Sequence, residues 1–180
     1  EWEWGDDLII EINLKWTGKN NGYPILFTND LHQDELFMHI DYWNGNKGTL
    51  VWGMYSNDNT KWKGYEYSNA IELNKSYHII MSISHGVMKL YINGYEKIYP
   101  NYVYGINVYN MSSIDFNTLQ LNKTTRTKHY IGKGWNNKIF DGIIKYLNIW
   151  HERTITDKFV LHRYYSKDEL ILKASTNQNI

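Results

Sequence analysis

The chain contains no cysteine, carries no net charge and has no long apolar run, and each absence excludes a class of protein. Without cysteine there is no disulfide framework, no thiolate metal site and no thiolate nucleophile. With 19 basic and 19 acidic residues, no net field draws the chain to nucleic acid or to an anionic membrane. No apolar stretch approaches the roughly 18 residues that a membrane-spanning helix needs. We therefore expect no nucleic-acid partner and no insertion into a membrane.

Aromatic residues, by contrast, are abundant. The chain has 8 Trp, 16 Tyr and 5 Phe, which together make up 16% of its residues. Strands favour aromatic and β-branched side chains, and this preference accounts for part of the total. The excess over the needs of a core predicts that some rings line a surface. A length of 180 residues and a hydrophobic content of 42% predict one globular domain over 1–180.

The clearest structural signal is the stretch from Tyr77 to Ile98, which reads as three strands joined by two turns. Its first part, Tyr77 to Ser84, alternates with the period of two that is typical of a strand. Asn93-Gly94 is the strongest short-range hairpin signal, because a type I′ turn needs positive φ at both central residues. A meander of three strands cannot bury its apolar face alone, so the rest of the chain must supply a second layer.

The same alternation recurs along most of the chain, as in Asp7 to Trp16. About a dozen short strands separated by polar turns predict an all-β fold, an antiparallel two-sheet jelly-roll β-sandwich. The period changes near the C-terminus, where Thr156 is placed to N-cap a short helix from Asp157 to about Tyr165. For Asp168 to Ala174, a strand and a turn of helix stay open.

Four segments in a fixed order carry a family resemblance. They are the hairpin Leu90 to Gly94, the short strand Tyr130 to Gly132, the closing strand Phe140 to Trp150, and Ile155 to Asp157 before a small helix. In order and spacing the chain resembles the laminin G-like branch of the concanavalin A-like lectin/glucanase superfamily. The gap between the hairpin and the short strand is longer than the family pattern, which predicts an insertion at about 101–128.

The resemblance implies a lectin-like domain, and its glucanase branch raises the question of catalysis. That branch places paired carboxylates at alternate positions of one strand, in the pattern Glu-x-Asp-x-x-Glu. Glu11 is followed at the second position by Asn13, and Asp41 has no carboxylate partner at that spacing. We therefore expect no enzyme, since a fold alone does not imply an activity, and a glycosidase is kept as the third hypothesis.

Aromatic residues beside amides carry the best functional signal. The apolar face of a sugar ring packs on an aromatic ring, while its hydroxyls seek amide, carboxylate and backbone groups. The same rings can also be core residues or anchors for a protein partner. The predicted ligand-binding residues combine the two types near strand ends and in the insertion: Trp43, Asn44, Trp62, Tyr65, Tyr102, Tyr104, Trp135, Asn136 and Asn137. Whether they act from end loops or from the concave sheet stays open.

Metal binding is predicted only for calcium. The 7 histidines show no local ligand spacing, so we expect imidazoles that are hydrogen-bonded on sheet faces or in turns. Laminin G-like domains and lectins of the superfamily often bind Ca²⁺ through loop oxygens, and the resemblance implies the same here. The candidate ligands are Asp30, Asp34 and Asp58. Asn and Asp are also common turn residues, so a Ca²⁺ site and plain turns both stay open.

These observations predict a non-catalytic carbohydrate-binding or cell-surface recognition module, of the kind used in adhesion. Its partner is expected to be a glycan or a glycosylated surface. The alternative is a protein–protein interaction or structural module of a larger adhesin, toxin or viral surface assembly, in which the rings bury a protein partner. Either role predicts an extracellular or surface-associated setting, on a secreted protein or a virion.

Overall fold

A computed structural model describes residues 2–4, 7–18, 20–29, 35–55, 62–84, 87–98, 102–104, 124–134, 138–151 and 154–176. Within these ranges the chain is built of strands followed by one helix. The elements are β1 (Trp2–Trp4), β2 (Leu8–Trp16), β3 (Gly22–Thr28), β4 (Leu36–Asn44), β5 (Lys47–Tyr55), β6 (Trp62–Glu72), β7 (Ser76–Ser84), β8 (Val87–Ile92), β9 (Tyr95–Glu96), β10 (Tyr102–Tyr104), β11 (Thr124–Arg126), β12 (Lys128–Ile131), β13 (Gly142–Trp150) and α1 (Asp157–Thr176).

Two antiparallel sheets pack face to face around one main core. The first has six strands in the order β10-β6-β5-β4-β3-β12, and the second has five in the order β13-β2-β7-β8-β9. A separate two-stranded pair joins β1 to β11. The buried cluster between the sheets draws side chains from both, including Trp16 from β2 and Trp52 from β5. The predicted all-β, two-sheet sandwich is therefore confirmed.

Strand β2 has the inner and outer faces that the alternation of its sequence predicts, but both of these faces are buried. Its inward residues, from Leu8 to Trp16 at every second position, lie in the core. Burying one such apolar side chain contributes about 1.5–3 kcal/mol. The outward residues Ile9, Glu11 and Asn13 are also buried. The outer face of this sheet is thus covered, which a period of two cannot indicate.

Helix α1 provides that cover. Val160 packs with Ile9, Ile80 and Tyr91, which all lie on the outer side of the five-stranded sheet. The predicted N-cap is confirmed, since Thr156 Oγ1 accepts a hydrogen bond of 3.2 Å from the Phe159 backbone N–H.

The helix is longer than predicted. It ends at Thr176 instead of near Tyr165, and the open segment Asp168 to Ala174 is helical rather than a strand. That segment has no Gly or Pro and is rich in helix formers, so extending an existing helix through it costs little free energy. Among the described residues, no helix is both long enough and apolar enough to span a membrane.

The hairpin at Asn93-Gly94 has the predicted geometry. Asn93 has φ of 52° and Gly94 has φ of 83°, as a type I′ turn requires. A Cβ atom on Gly94 would also lie 3.1 Å from the Tyr164 ring of α1. Glycine therefore serves both the turn and the approach of the helix.

The predicted insertion at about 101–128 is described only at its two ends. Strand β10 adds to the edge of the six-stranded sheet beside β6, and β11 pairs with β1. Residues 105–123 lie outside the described ranges. Where it is described, the segment therefore contributes strands.

Candidate functional site

The outer face of the six-stranded sheet carries a cluster of three side chains from neighbouring strands, Tyr23, His39 and Asp41. Alternation along β4 sends Met38 and Ile40 into the core, so His39 and Asp41 point to the opposite face. Tyr23, from the start of β3, lies against this face and reaches the imidazole. We refer to these three residues as the Tyr23 cluster.

The contacts within the Tyr23 cluster are close and directional. The Tyr23 ring stacks on the His39 imidazole with centroids 4.3 Å apart and planes 23° apart. The ring also meets Phe37 in an edge arrangement at 5.8 Å. His39 Nδ1 lies 3.3 Å from Asp41 Oδ1. The cluster thus combines a half-buried aromatic ring with a carboxylate whose side chain is 21% exposed.

The pKa values define the charges of the cluster. Burial lowers the pKa of His39 to about 4, and the positive charge of Lys138 acts in the same direction. The imidazole is therefore neutral at pH 7, and its contact with the Asp41 carboxylate is not an ion pair. Burial also raises the pKa of Asp41; Lys138 opposes that rise and Glu66 adds to it.

His39 has a second distinctive property. The residue is 91% buried, since its relative exposure is 9%, and its Nε2 has no hydrogen-bond partner among the described residues. Leaving a buried polar atom unpaired costs about 1–3 kcal/mol. Such unpaired buried atoms are rare in native structures, and this one has no surface that a ligand could reach.

A tight turn closes over Tyr23 from the far end of β12. The Gly134 N–H donates to the Lys138 carbonyl at 2.9 Å, and Lys133 bridges Ile139. A Cβ atom on Gly134 would overlap the Tyr23 ring, so only glycine allows the turn to approach this closely. The backbone at Gly134, bonded to Lys138, therefore lies at the edge of the cluster.

Two groups of sequence-predicted site residues fall beside this cluster along the chain. Trp135, Asn136 and Asn137 lie outside the described residues, but the Gly134 and Lys138 positions that flank them form the turn at Tyr23. Trp43 and Asn44 belong to β4 and follow directly after the Asp41 end of the strand. Their side chains also lie outside the described set. The fold thus brings Gly134, Lys138 and the end of β4 that contains Trp43 and Asn44 to one end of one sheet.

For three further predicted site residues, the structure describes only the position of the backbone. Tyr102 pairs with Glu66, and that register row continues across β5 to His39. Tyr104 lies two residues further along β10, and Trp62 is the first residue of β6. Their side chains lie outside the description. Tyr102 is therefore in the same cross-strand row as the cluster.

Tyr65 requires a correction. Its side chain is 2% exposed and belongs to the core between the sheets, so it cannot be a surface contact for a ligand. The reason is parity along β6: Tyr65 and Tyr67 alternate with Glu66 and point to the inner face. The same alternation is visible in the sequence, where Tyr65 and Trp62 fall on opposite faces of the strand.

For the proposed calcium ligands, the structure describes only the strand ends that flank them in the sequence. Thr28 of β3, Leu36 of β4, Tyr55 of β5 and Trp62 of β6 mark one end of it, opposite the end that holds Asp41. The segments between these strand ends, 30–34 and 56–61, lie outside the described residues. They contain the candidate ligands Asp30, Asp34 and Asp58. Elsewhere, the described residues contain no group of three His, Cys, Asp or Glu side chains that could hold a metal.

A second polar cluster, which sequence reasoning missed, lies under helix α1. Glu11 of β2 is fully buried and accepts hydrogen bonds from Arg163 Nη2 at 2.8 Å and from Asn148 Nδ2 at 2.9 Å. His78 Nε2 lies 2.6 Å from the same carboxylate. Burial alone would raise the pKa of Glu11, but its bonds to His78, Arg163 and Asn148 prevail and lower it to about 2.

This second cluster holds the helix to the sheet and offers no catalytic acid. A carboxyl group with a pKa of about 2 is ionised at neutral pH, so Glu11 cannot donate a proton to a leaving group. Arg163 occupies its oxygens from the helix side. Tyr146, whose hydroxyl lies 3.4 Å from Glu11, has its pKa raised to about 12 by burial and by that negative charge.

Comparisons with known proteins identify the fold. No protein-family model matches the chain, and no curated protein matches it significantly. Among solved structures, a sialidase CBM40 from Ruminococcus gnavus bound to α2,3 sialyllactose has a TM-score of 0.60 at 12% identity, over 88% of this chain and 83% of that chain. Domain 4 of the extracellular arabinanase AbnA from Geobacillus stearothermophilus, in complex with arabinotriose, has a TM-score of 0.59 at 18% identity, over 88% of this chain and 66% of that one.

A third structure links the fold to the resemblance read from the sequence. Domains LG4-5 of the mouse laminin α1 chain match with a TM-score of 0.57 at 14% identity, over 86% of this chain and 39% of that chain. The protein thus has the concanavalin A-like jelly-roll fold that the order of its motifs predicted. At these identities the likeness concerns the fold alone, and the function has to be argued from the site.

Proposed function

We propose that this chain is a non-catalytic carbohydrate-binding module and that the Tyr23 cluster is the centre of its site. The observation that carries the proposal is the half-buried Tyr23 ring beside the partly exposed Asp41 carboxylate and the His39 imidazole. A sugar can contact the exposed part of the ring and donate hydroxyl hydrogens to the carboxylate. Ligand sites of this type combine an apolar surface with a few placed polar groups.

The fold supports the same function. Two of the similar structures hold a sugar, sialyllactose in the sialidase CBM40 and arabinotriose in the arabinanase domain. Their sequences are only 12% and 18% identical to that of this chain. They therefore support carbohydrate as the class of ligand, but not any individual contact. The Tyr23 cluster supplies contacts that belong to this chain.

We propose that the site extends from the cluster into the two segments beside it. The β4–β5 hairpin supplies amide and aromatic side chains at one border, and the turn between Gly134 and Lys138 supplies them at another. Tyr102, in the register row of His39, marks a third border. The residues proposed at the first two borders are Trp43, Asn44, Trp135, Asn136 and Asn137.

Calcium and cellular setting are proposed with the same function. A Ca²⁺ ion held by Asp30, Asp34 and Asp58 would lie at the opposite end of the sheet from Asp41, so we propose that it does not touch the bound sugar. We also propose that the module acts outside the cell or on a surface, as a secreted protein or on a virion. A glycan there would be its partner in adhesion.

Binding to a broad glycan panel, read by tyrosine and tryptophan fluorescence, tests the proposal. We expect Tyr23→Ala to abolish binding, and Tyr95→Ala, which removes a 69% exposed tyrosine from the other sheet, to leave it unchanged. Because Tyr23 also packs on Phe37, thermal unfolding checks that the variant is folded. Asp41→Asn offers a second test with little change in shape. Full binding by both cluster variants would refute the site.

A second candidate function has an observation of its own. Among the described residues, Tyr95, Ile98 and Tyr165 have the most exposed large hydrophobic side chains, at 69%, 66% and 67%. Tyr95 follows Gly94 in the chain, and Tyr165 meets the ring of Tyr164, which in turn approaches Gly94. Exposed aromatic residues of this kind can anchor a protein partner. Sedimentation velocity of the wild type and of a Tyr95→Ala/Tyr165→Ala variant tests for self-association through this surface.

A further inference from the structure

We infer that the Tyr23 cluster binds the terminal sugar of a glycan chain and not an internal stretch of a polysaccharide. The inference rests on the proposed carbohydrate-binding function and specifies which part of a glycan that function recognises. It follows from where the outer face of the six-stranded sheet is accessible and where it is covered.

The middle of this outer face is covered. Leu26, Phe37 and Val51, from the neighbouring strands β3, β4 and β5, form a buried cluster there and are 0%, 4% and 4% exposed. Adjacent strands lie about 4.8 Å apart, so these three side chains span a strip about 10 Å wide. A side chain that is buried to this extent offers no surface to a ligand, so the strip cannot serve as a platform for sugar rings.

The covered area extends beyond that strip. Gly53 and Gly64, which pair across β5 and β6, are buried. Thr28 is 0% exposed, and Thr49, the cross-strand partner of Asp41, is 6% exposed. An internal stretch of polysaccharide needs a continuous accessible strip on which several sugar residues can lie. On the outer face of β3, β4 and β5, the described residues offer no such strip.

Accessible surface remains at the end of the sheet that holds the Tyr23 cluster. The Tyr23 ring is half-buried, and the Asp41 side chain is 21% exposed. Lys138 is exposed, and its charge acts on both His39 and Asp41, so its side chain lies beside the cluster. The surface formed by these groups is small and ends at the covered strip, so it suits one terminal sugar.

A terminal sugar also matches the polar groups better than an internal one. Each glycosidic bond replaces a hydroxyl group, so the sugar at the non-reducing end of a chain keeps a hydroxyl that every internal sugar has lost. Hydroxyl groups both donate and accept hydrogen bonds. The Asp41 carboxylate can accept from them, and the Lys138 ammonium can donate to them. A contact that uses the extra hydroxyl is therefore open only to a chain end.

Isothermal titration calorimetry with oligosaccharides of increasing length tests the inference. The ligands are the arabinan, xylan, cellulose, chitin and oligosialic acid series, each from the disaccharide to the hexasaccharide. Any other glycan that the panel identifies is compared with its own terminal disaccharide. We expect Kd to stay within about threefold along a series, because a longer chain adds no further contact. A larger fall in Kd from disaccharide to hexasaccharide would overturn the inference and leave the proposed function intact, since an internal site gains free energy from each further sugar that it contacts.

Two variants locate the contacts. Asp41→Asn should weaken binding of the disaccharide and of the hexasaccharide by the same factor, about tenfold, because both ligands depend on the same charged acceptor. Lys128→Met alters β12 beyond the covered strip, where Lys128 pairs with Thr28, and should change neither affinity. If Lys128→Met weakens only the hexasaccharide, or if Asp41→Asn leaves binding unchanged, the inference is wrong. If no glycan binds to folded protein, the proposed function itself fails.

Discussion

The carboxylate of Glu11 and the guanidinium of Arg163 meet at 2.8 Å, although 152 residues separate them along the chain. One belongs to the second strand and the other to the C-terminal helix. Glu11 is fully buried, and 23% of the Arg163 side chain is exposed. The pair therefore links β2 to α1 at the point where α1 covers the five-stranded sheet. It holds the helix against the sandwich.

Replacing Arg163 tests that role. We expect Arg163→Met to lower the free energy of unfolding by about 3 kcal/mol, because it leaves a buried carboxylate without its cation. Urea denaturation measures the loss. The double variant Glu11→Gln/Arg163→Met should recover part of it, since it also removes the uncompensated charge. A single-variant loss below about 0.5 kcal/mol, within the range of ordinary surface substitutions, would contradict the structural role.

The lowered pKa of His39 predicts a pH dependence of stability. Its pKa falls from an ordinary value of 6.5 to about 4 in the folded protein, so the unfolded chain takes up the proton first. The contribution of His39 is therefore fully present above pH 6.5 and is lost as the pH falls from 6.5 to 4. Thermal unfolding of wild type and His39→Gln across this range measures the effect. Parallel curves for the two proteins would show that His39 is not buried in its neutral form.

Gly134 is predicted to control the position of the Tyr23 ring. A Cβ atom at this position would overlap the ring, so Gly134→Ala should displace it and weaken sugar binding about tenfold or more, since small displacements in a packed site are felt strongly. Near-ultraviolet circular dichroism and glycan titration measure the two effects. Lys133→Ala, which shortens an exposed side chain in the same turn, is the control. Unchanged binding by Gly134→Ala would show that this glycine does not control the sugar site.

Calcium removal tests the relation between the two ends of the sheet. We expect chelation to leave glycan affinity at the Tyr23 cluster unchanged within about twofold, because Asp41 and the strand ends next to the proposed calcium ligands lie at opposite ends. Titration with and without a chelator measures it. Loss of binding that returns with added calcium would place a cation in the sugar site itself.

Some features of the fold were determined by local sequence. The alternation of Tyr77 to Ser84 predicted β7, Asn93-Gly94 predicted its type I′ hairpin, and Thr156 predicted the cap of α1. Each depends on residues within a few positions of one another, so the pattern itself contains the physical cause. The end of α1 was not predicted because Asp168 to Ala174 suits more than one local structure.

The same local reasoning predicted only part of the candidate site. The sequence drew attention to Trp43 with Asn44, which follow Asp41 in β4, and to 135–137, which lie outside the described residues, but it singled out neither Tyr23 nor His39. Tyr23 follows Asn20 and Asn21 but was not singled out beside them, and His39 had only a general expectation of a hydrogen bond on a sheet face. Tyr65 was included although its parity placed it with the core.

The sequence by itself determined the class of fold, because strand period, turn chemistry and helix capping are local properties. Tertiary structure alone decided which face of each strand is covered and which distant side chains meet. Stacking of Tyr23 on His39 depends on the pairing of β3 with β4, and the contact of Glu11 with Arg163 depends on where α1 packs. A sequence period of two predicts that neighbouring side chains point to opposite faces of the sheet, but it does not predict what covers either face. Charge, burial and the unpaired Nε2 of His39 arise only after those faces are assembled.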